Sequence, residues 1–279
     1  MNPDRMDTLG SSLVQHGKQN DRVYLMKLNP DDREQIIDTL DDLAKEEDYS
    51  KIFAKVPASM EEIFLGDDYT VEARVKGLFN ADEDGLFMGK FLTRDRAVVD
   101  NGQTIAQVLD LARLKADDDR KPAPGFQVQP METTHAETMA ELYSQVFDSY
   151  PFPIFDPDFI KETMESHVHY FGVFQGAELV ALSSAETDMT ALNAEMTDFA
   201  TLPHVRGQGL ADLLLDTMGR AVADMGVQTA YTIARATSHG MNIAFSRAGY
   251  RFAGTLVNNT NISGGLESMN VWWQDLSCL

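Results

Sequence analysis

The stretch "TLPHVRGQGLADLLLDTM", residues 201–218, places an arginine and two glycines directly before an apolar-periodic run. The spacing of Leu210, Leu214 and Met218 predicts an amphipathic helix. A helix N-terminus has free N–H groups and the positive end of the helix dipole, so it attracts an anion. Glycines there let the backbone approach that anion closely. The stretch therefore predicts an anion-binding loop between a strand and a helix.

Three kinds of phosphate-binding loop can be compared with this stretch. A Walker loop ends in Gly-Lys-Ser/Thr, but here Leu210 and Ala211 follow Gly209. A dinucleotide fingerprint needs a third small residue where this chain has Asp212, whose carboxylate would repel a pyrophosphate. The third pattern, Arg/Gln-x-x-Gly-x-Gly/Ala, is matched by Arg206, Gly209 and Ala211. An ordinary glycine-rich turn before a helix stays open as the alternative, because the motif is short.

Composition limits the class of protein. The 279-residue chain is 43% hydrophobic, enough to bury a core, and its formal net charge is −21. That charge argues against nucleic acid or an anionic membrane as the main partner. We find neither a secretory signal nor an apolar run near the roughly 18 residues that span a bilayer. The single cysteine, Cys278, excludes an intrachain disulfide. We therefore expect a cytoplasmic protein.

A linker is predicted at "KADDDRKPAPG", residues 115–125, where a charge run meets Pro-x-Pro-Gly. It divides the chain into a domain over 1–120 and a second domain over 121–279. The first half shows no catalytic constellation, so we expect a small α/β domain that packs on the second. Its expected elements are helices over 31–47 and 102–115, a strand over 51–57 and a hairpin within 69–92 around an Asp-Gly turn.

The second half has a clearer order of elements. Periodicity and turn residues predict β-α-α-β-β-β-loop-α-β-α-β-β between residues 126 and 274. The expected strands lie within 125–131, 168–176, 178–188, 192–202, 228–236, 250–258 and 265–274, and the expected helices over 133–148, 157–166, 210–225 and 238–249.

This order, together with the loop pattern, resembles the GNAT superfamily of N-acetyltransferases. Longer strings resemble a narrower family, the β-lysine N-acetyltransferases, and they lie in both halves of the chain. They are "KIFAKVP" (51–57), "YPFPI" (150–154), "NAEMTDFATLP" (193–203), "YTIARATSHGMN" (231–242), "NNTNI" (258–262) and "ESMNVWW" (267–273). The resemblance implies an α/β (α+β) GNAT fold, with a mixed central sheet and flanking helices, preceded by a smaller α/β domain.

The resemblance also implies a reaction. An acetyl group would pass from acetyl-CoA to the terminal amine of β-lysine, giving the compatible solute Nε-acetyl-β-lysine. Three alternatives stay open: another small amine as acceptor, a protein lysine as acceptor, and a sensor that binds CoA or an amine without turnover. We expect no metal: His167 and His169 lie two residues apart but lack a nearby third ligand, so a structural role is the better interpretation. We also expect that a homodimer can form.

For the cofactor, the resemblance implies that the loop amides hold the CoA pyrophosphate and that the pantetheine arm lies along the strand before the loop. The implied contacts are Phe199, Ala200, Thr201, Leu202, Arg206, Gly207, Gln208, Gly209, Leu210, Ala211, Ser238, Asn242 and Phe245. The chain departs from its relatives at two of these positions. Relatives often carry a tyrosine, the leaving-group acid, at the position of Phe245, and an asparagine at that of Ser238.

The chemistry requires a base, because a lysine-type amine has a pKa of about 10.4 and must lose a proton to attack a thioester. Glu195 is the first candidate, on the strand where several relatives carry a catalytic glutamate, and Asp198 is the second. A solvated or salt-bridged strand carboxylate is the alternative for Glu195. On a regular strand the two would point to opposite faces, unless a bulge intervenes. Tyr231 and Tyr250 are candidate leaving-group acids, with packed aromatic side chains as the alternative.

Acceptor binding requires partners for one carboxylate and two ammonium groups. The asparagine run and the early loop are implied by the resemblance, and Glu186 or Glu267 could hold the second ammonium. The candidates are Tyr150, Phe152, Glu186, Asn258, Asn259, Asn261 and Glu267.

Overall fold

The computed structural model describes residues 4–118, 123–148, 150, 152–262 and 264–277. Residues 119–122 of the predicted linker and Cys278 lie outside the described residues. Within these ranges, thirteen strands form one mixed sheet in the order β1-β2-β3-β4-β6-β5-β12-β13-β11-β10-β9-β8-β7, numbered along the chain. No helix in the described ranges has the length and apolar character to cross a membrane.

The first half contributes six strands and three helices to the described fold. The predicted helices and the strand over 51–57 are confirmed, and β1 to β3 are additional to the prediction. The predicted Asp-Gly turn is wrong: the chain turns at Asn80 and Ala81 (φ 56° and 58°), whereas Asp84 and Gly85 lie inside β6. The elements are β1 Arg5–Leu9, β2 Ser12–Gly17, β3 Arg22–Lys27, α1 Ile36–Glu46, β4 Lys51–Pro57, α2 Glu61–Leu65, β5 Thr70–Phe79, β6 Glu83–Phe91 and α3 Gly102–Leu114.

The second half confirms the predicted order of strands and helices. Helix α4 is shorter than predicted, and Ser238 is the N-cap of α7, although its side chain makes no capping hydrogen bond. The elements are β7 Phe126–Pro130, α4 Ala136–Val146, α5 Pro157–Met164, β8 Val168–Gln175, β9 Glu178–Asp188, β10 Asn193–Thr201, α6 Leu210–Asp224, β11 Thr229–Arg235, α7 His239–Arg247, β12 Arg251–Ile262 and β13 Gly265–Asp275.

The two halves join edge to edge between β5 and β12, where Ala73 pairs with Gly254. Any side chain at residue 254 would place its Cβ 2.0 Å from the Glu72 carbonyl oxygen, so the close approach requires glycine. Beyond this seam the sheet curls and brings Phe87 of β6 against Tyr231 of β11, with ring centroids 5.8 Å apart. One hydrophobic cluster thus contains residues of both halves, and the first half packs on the second as expected.

Candidate active site

The loop before α6 has the geometry of an anion-binding turn. Gly207 and Gly209 both have positive φ (79° and 82°), and Gly209 is the left-handed N-cap of α6. The first amides of a helix have no intrahelical acceptor, so those of Leu210 and Ala211 are donors for a ligand. Arg206 Nε donates to the Thr201 carbonyl (3.1 Å), which closes the loop onto the end of β10. Arg206 therefore acts at least through backbone geometry, a point that the sequence leaves open.

Asp212, in the first turn of α6, is neutralised by an ion pair. Arg247 of α7 donates two hydrogen bonds to its carboxylate, at 2.8 and 2.6 Å. Bidentate pairs of this kind are among the stronger charge-assisted contacts. The carboxylate thus belongs to a contact between two helices, and it does not leave an unpaired negative charge beside the anion-binding amides.

Strands β10 and β11 separate just before this loop. Their parallel pairing ends at Glu195 and Tyr231, although β10 continues to Thr201 and β11 to Arg235. The backbone groups on that side of β10 beyond Glu195 therefore have no partner on β11. The gap runs alongside Phe199–Thr201 and can accept an extended chain that hydrogen-bonds to a strand edge, as the resemblance implies for pantetheine.

A bulge in β10 places Asp198 on the same side of the sheet as Glu195. The pairing with β9 shifts register between Thr197 and Ala200, and Asp198 has a φ of 57°. The condition under which the two carboxylates could share a face is therefore met. Both oxygens of Asp198 already accept hydrogen bonds, one from Ser184 Oγ (2.5 Å) and one from the Tyr150 hydroxyl.

Glu195 and Glu186 lie opposite each other on β10 and β9. Both retain some exposure, as groups lining a cleft do. Burial raises the pKa of Glu186 to about 8, and the charges of Glu195 and Asp198 add to the shift. Burial also raises the pKa of Glu195, which Lys55 opposes. Three carboxyl groups beside one lysine suit a cationic acceptor, because an ammonium placed beside them favours their ionised forms.

Lys55 shows that the first half contributes to this site. Its Nζ lies 2.9 Å from the Tyr231 hydroxyl, and Tyr231 is the register neighbour of Glu195 on the adjoining strand. The Tyr231 hydroxyl also opposes the burial that raises the pKa of Glu195. The first half shows no catalytic constellation of its own, but it supplies this lysine beside the candidate base. The stretch "KIFAKVP" did carry a signal for Lys55. Lys55 follows Phe53 by two residues, so it lies on the same face of β4 as that fully buried ring.

Tyr143 of α4 is a further site residue that sequence reasoning missed. It is fully buried, and its hydroxyl has no hydrogen-bond partner among the described residues. The charges of Asp198, Tyr150 and Glu186 act on it, so it lies on the carboxylate side of the sheet. An unpaired buried hydroxyl there can donate to or accept from a bound molecule.

The remaining cofactor candidates have defined contacts. Phe245 is buried edge-to-face between Phe199 and Tyr250, with ring centroids 5.5 and 5.3 Å away. The Tyr250 hydroxyl is buried without a partner in the described structure. Asn242 donates to the Arg235 and Ser238 carbonyls and accepts from Asn270 and Trp272, so its amide is saturated within the protein. The implied contact between CoA and the Asn242 amide is therefore corrected to a structural role.

The substrate candidates fall into two groups. Tyr150 and Glu186 lie around Asp198 and Glu195, and Phe152 packs at the edge of the same core. The asparagine run and Glu267 are instead engaged elsewhere. In the described part of the chain, no hydrogen bond or ion pair links that second group to Glu195.

The asparagine run holds the two halves together. Both amide hydrogens of Asn258 are donated, to the Arg96 and Val98 carbonyls, which leaves none for a substrate carboxylate. The Asn259 carbonyl accepts from Arg22, and the Asn261 N–H donates to Asn20 Oδ1. The carboxylate of Glu267 is held by both nitrogens of Arg235, at 2.6 and 2.9 Å. The structure thus corrects the expectation that Asn258 and Glu267 are free to bind the acceptor.

No group of three or more His, Cys, Asp or Glu side chains in the described residues is arranged to hold a metal ion. The ring of His167 is hydrogen-bonded to Ser166 Oγ at 2.9 Å. Burial lowers the pKa of His169, with a smaller contribution from His167. Both histidines thus have a local structural explanation.

Comparison with known proteins defines the class first. The model of the acetyltransferase (GNAT) family matches residues 136–250, which contain the loop, the strand gap and the carboxylates. The β-lysine N(6)-acetyltransferase of Methanococcus maripaludis is 37% identical over 97% of this chain and 98% of its own length. That of Methanosarcina mazei is 36% identical over 70% of this chain and 72% of its own. The N-acetyltransferase YodP of Bacillus subtilis is 31% identical over 84% of this chain and 85% of its own length.

The relatives that match most of their own length decide the family. This chain belongs to the β-lysine N(6)-acetyltransferase family of the GNAT acetyltransferases. It is accordingly an acyl-CoA-dependent N-acetyltransferase, and the resemblance found in the sequence is confirmed. Among solved structures, the ribosomal-protein-S18-alanine N-acetyltransferase of Escherichia coli is 17% identical, with a TM-score of 0.48 over 55% of this chain and 96% of its own. A likeness this distant assigns no residue roles.

Proposed function

We propose that the protein transfers the acetyl group of acetyl-CoA to the terminal amine of β-lysine, giving the compatible solute Nε-acetyl-β-lysine. The names of two relatives support the acceptor, and one of them is matched over 98% of its own length. The observation that carries the chemistry is the position of Glu195. It lies on the last paired residue before β10 and β11 separate, with Glu186 opposite and Asp198 close by.

The chain's own groups fit the cofactor. The N-terminal amides of α6 would bind the pyrophosphate, and the unpaired edge of β10 at Phe199–Thr201 would hold the pantetheine arm. The thioester supplies an acyl carbon that is open to attack. A cofactor held in this way ends at the apex of the gap, which is where Glu195 lies.

In the proposed reaction, Glu195 removes a proton from the acceptor's ammonium. The amine nitrogen then forms a C–N bond to the acyl carbon, the C–S bond breaks, and the sulfur keeps the electron pair. The nitrogen loses its second proton to water as the amide forms. The raised pKa of Glu195 suits this role, because a base works best with a pKa near the working pH. Phe245 has no proton to give, so the thiolate takes its proton from water. Asp198 is a positioning residue, because both of its oxygens are already occupied.

Glu186 would hold the acceptor's second ammonium. Opposed residues on antiparallel strands have Cβ atoms about 4.5–5.5 Å apart, so Glu186 and Glu195 can bind two amines on one short chain. A misplaced amine leaves a buried polar group unpaired, which costs about 1–3 kcal/mol. We therefore expect β-lysine to be preferred over α-lysine.

Steady-state rates on β-lysine, α-lysine, ornithine and a lysyl peptide test the acceptor. β-lysine should give the highest kcat/KM, with free thiol released from acetyl-CoA in proportion. If the peptide were the best substrate, the protein would be a protein acetyltransferase. If no amine released thiol while acetyl-CoA still bound, the sensor alternative would hold.

The cofactor loop is tested by Gly209→Val. Acetyl-CoA at 100 times its Kd should stabilise the wild-type fold by about 2.7 kcal/mol. A valine at residue 209 should remove that stabilisation, because its side chain would separate the loop backbone from the pyrophosphate. Gly176→Val is the matched control, since Gly176 also has positive φ (63°) but lies in the β8–β9 turn. That variant should keep the ligand-induced shift in Tm, and Gly209→Val with full protection would refute the loop assignment.

Three further expectations stay predictions. They are the division into domains over 1–120 and 121–279, a homodimer, and a cytoplasmic location. Size-exclusion chromatography with light scattering would test the second of these directly.

A further inference from the structure

Lys55 reaches across from the first half of the chain to the centre of the proposed site. It lies on β4 and contacts Tyr231 of β11, with Nζ 2.9 Å from the hydroxyl oxygen. Tyr231 is 2% exposed, and its neighbour in the parallel register of β10 is Glu195. Lys55, Tyr231 and Glu195 therefore form a chain of neighbouring polar groups that joins the two halves.

The chemistry of the three groups fixes the direction of this chain. A lysine ammonium has three donors and no acceptor, so the Tyr231 oxygen must accept from Lys55. The phenol has one hydrogen, and it is then donated to the Glu195 carboxylate. A phenol that accepts from a cation is a stronger donor, because hydrogen bonds in a chain polarise one another.

The charges around this chain make Lys55 the important cation. Lys55 acts on both Glu195 and Glu186, and each lies among other acidic or phenolic groups. The groups facing Lys55 are Glu195, Glu186, Asp188 and Lys27, and those facing Glu195 are Lys55, Tyr231, Asp198, Glu186 and Tyr24. Lys27 is held at the surface by Asp188, at 2.8 Å.

We propose that Lys55 is a positioning residue for the reaction: by donating to Tyr231 it fixes that hydroxyl as a donor to Glu195, and it keeps Glu195 ionised and ready to accept the amine's proton. The proposal rests on the proposed function in taking Glu195 as the base. It assigns to the first half of the chain a part in setting the pH range of the enzyme.

The test is the pH dependence of kcat/KM for Lys55→Met, Lys55→Arg and Tyr231→Phe, with Lys27→Met as the control. Losing an opposite charge near a carboxylate raises its pKa, so Lys55→Met should move the acidic limb of the profile up by about one pH unit or more. Activity below the limb should then fall about tenfold and recover at high pH. Tyr231→Phe should move the limb in the same direction. Lys55→Arg should restore most of the shift, and Lys27→Met should leave the profile in place.

A purely structural role would give a different pattern. Lys55→Met would then lower kcat/KM by the same factor at every pH, in parallel with a lower Tm, and an unmoved acidic limb would overturn the proposal. A 13C NMR titration of the Glu195 carboxyl, assigned by its loss in Glu195→Gln, gives the same shift without an acceptor. If β-lysine is not turned over but the carboxyl still shifts in Lys55→Met, the proposed function has failed and the positioning role stands. If turnover is normal and the carboxyl does not shift, the positioning role has failed alone.

Discussion

Strand β4 carries two lysines on the same face, Lys51 and Lys55, and their surroundings differ sharply. Lys51 is completely buried and donates to Glu72 and to the Val257 carbonyl, both at 2.8 Å. Lys55 is partly exposed and donates to a phenol, beside carboxylates that lack counter-ions of their own. The two lysines are only four positions apart on one strand, yet their surroundings differ.

The difference teaches how to separate a structural charge from a functional one. Glu72 is 4% exposed, accepts from Lys51 and also takes the Val257 N–H at 2.7 Å, so the ion pair joins β4, β5 and β12 with its hydrogen bonds satisfied. Burial lowers the pKa of Lys51 to about 8, with Glu72 opposing that shift. Around Lys55 the carboxyl groups outnumber the cations. The ion pair of Lys51 and Glu72 stabilises the seam between the halves, whereas the excess carboxyl groups around Lys55 can bind a cationic ligand.

The largest effect should come from removing the whole first half of the chain, and both lysines with it. Expressed alone, residues 126–279 lose β4 and expose the cluster in which Phe53 and Phe87 pack against Tyr231 and Val271. The fragment should aggregate or lose acceptor affinity, because that apolar surface is no longer covered. Light scattering and the rate on β-lysine measure the outcome. A soluble fragment with full activity would make the first half dispensable.

Changing the two glutamate partners should separate activity from stability. Glu195→Gln should lower kcat by about 10²- to 10⁴-fold near neutral pH, and by less at high pH where more amine is already neutral. Its Tm should change little, because the side chain is partly exposed and glutamine keeps an acceptor oxygen for Tyr231. Glu72→Gln should instead lower stability by about 3–5 kcal/mol, because Lys51 loses its counter-ion. Equal effects of both variants on kcat would remove the distinction.

The two lysines should differ in stability. Lys51→Met leaves the Glu72 carboxylate buried without its counter-ion, so chemical denaturation should show a loss of about 3 kcal/mol or more. Adding Glu72→Leu should restore much of that loss, since an apolar pair can replace a buried ion pair. Lys55→Met should cost about 1 kcal/mol or less, because solvent reaches that side chain. Equal losses would show that Lys55 is also part of the fold's support.

The smallest effect concerns pH. The pKa of Glu186 is raised from 4.5 to about 8, so between those values the folded state binds more protons than the unfolded state. Stability without acceptor should therefore fall as pH rises through this range. Glu186→Gln should remove part of that slope, about 1 kcal/mol after solvent screening, or about 2–4 °C in Tm between pH 5 and pH 8. Scanning calorimetry of both proteins gives the difference, and identical slopes would place the effect elsewhere.

Local sequence chemistry determined the anion-binding turn and the order of elements in the second half, and the family resemblance supplied the candidate base. Gly207 and Gly209 stand in the turn before α6 because glycine adopts a positive φ without strain. The apolar side chains of α6 recur with the period of a helix, which the order of neighbouring residues shows directly. Glu195 became a candidate because the resemblance places a catalytic glutamate on the strand before the loop, and the residues of that strand alternate between buried and half-buried. Such features depend on interactions between residues close in the chain.

Tertiary structure alone decided which charged groups meet. The contact between Lys55 and Tyr231 joins residues 176 positions apart, and it depends on the curl of the sheet beyond the Ala73–Gly254 seam. The bulge that turns Asp198 toward Glu195 depends on its pairing with β9 and on the hydrogen bond from Ser184. Asn258 was expected at the acceptor but binds the first half, because the seam offers carbonyl partners that no local pattern shows. A short sequence pattern indicates which chemistry a side chain can perform, whereas the packing of distant strands determines which groups lie beside that side chain.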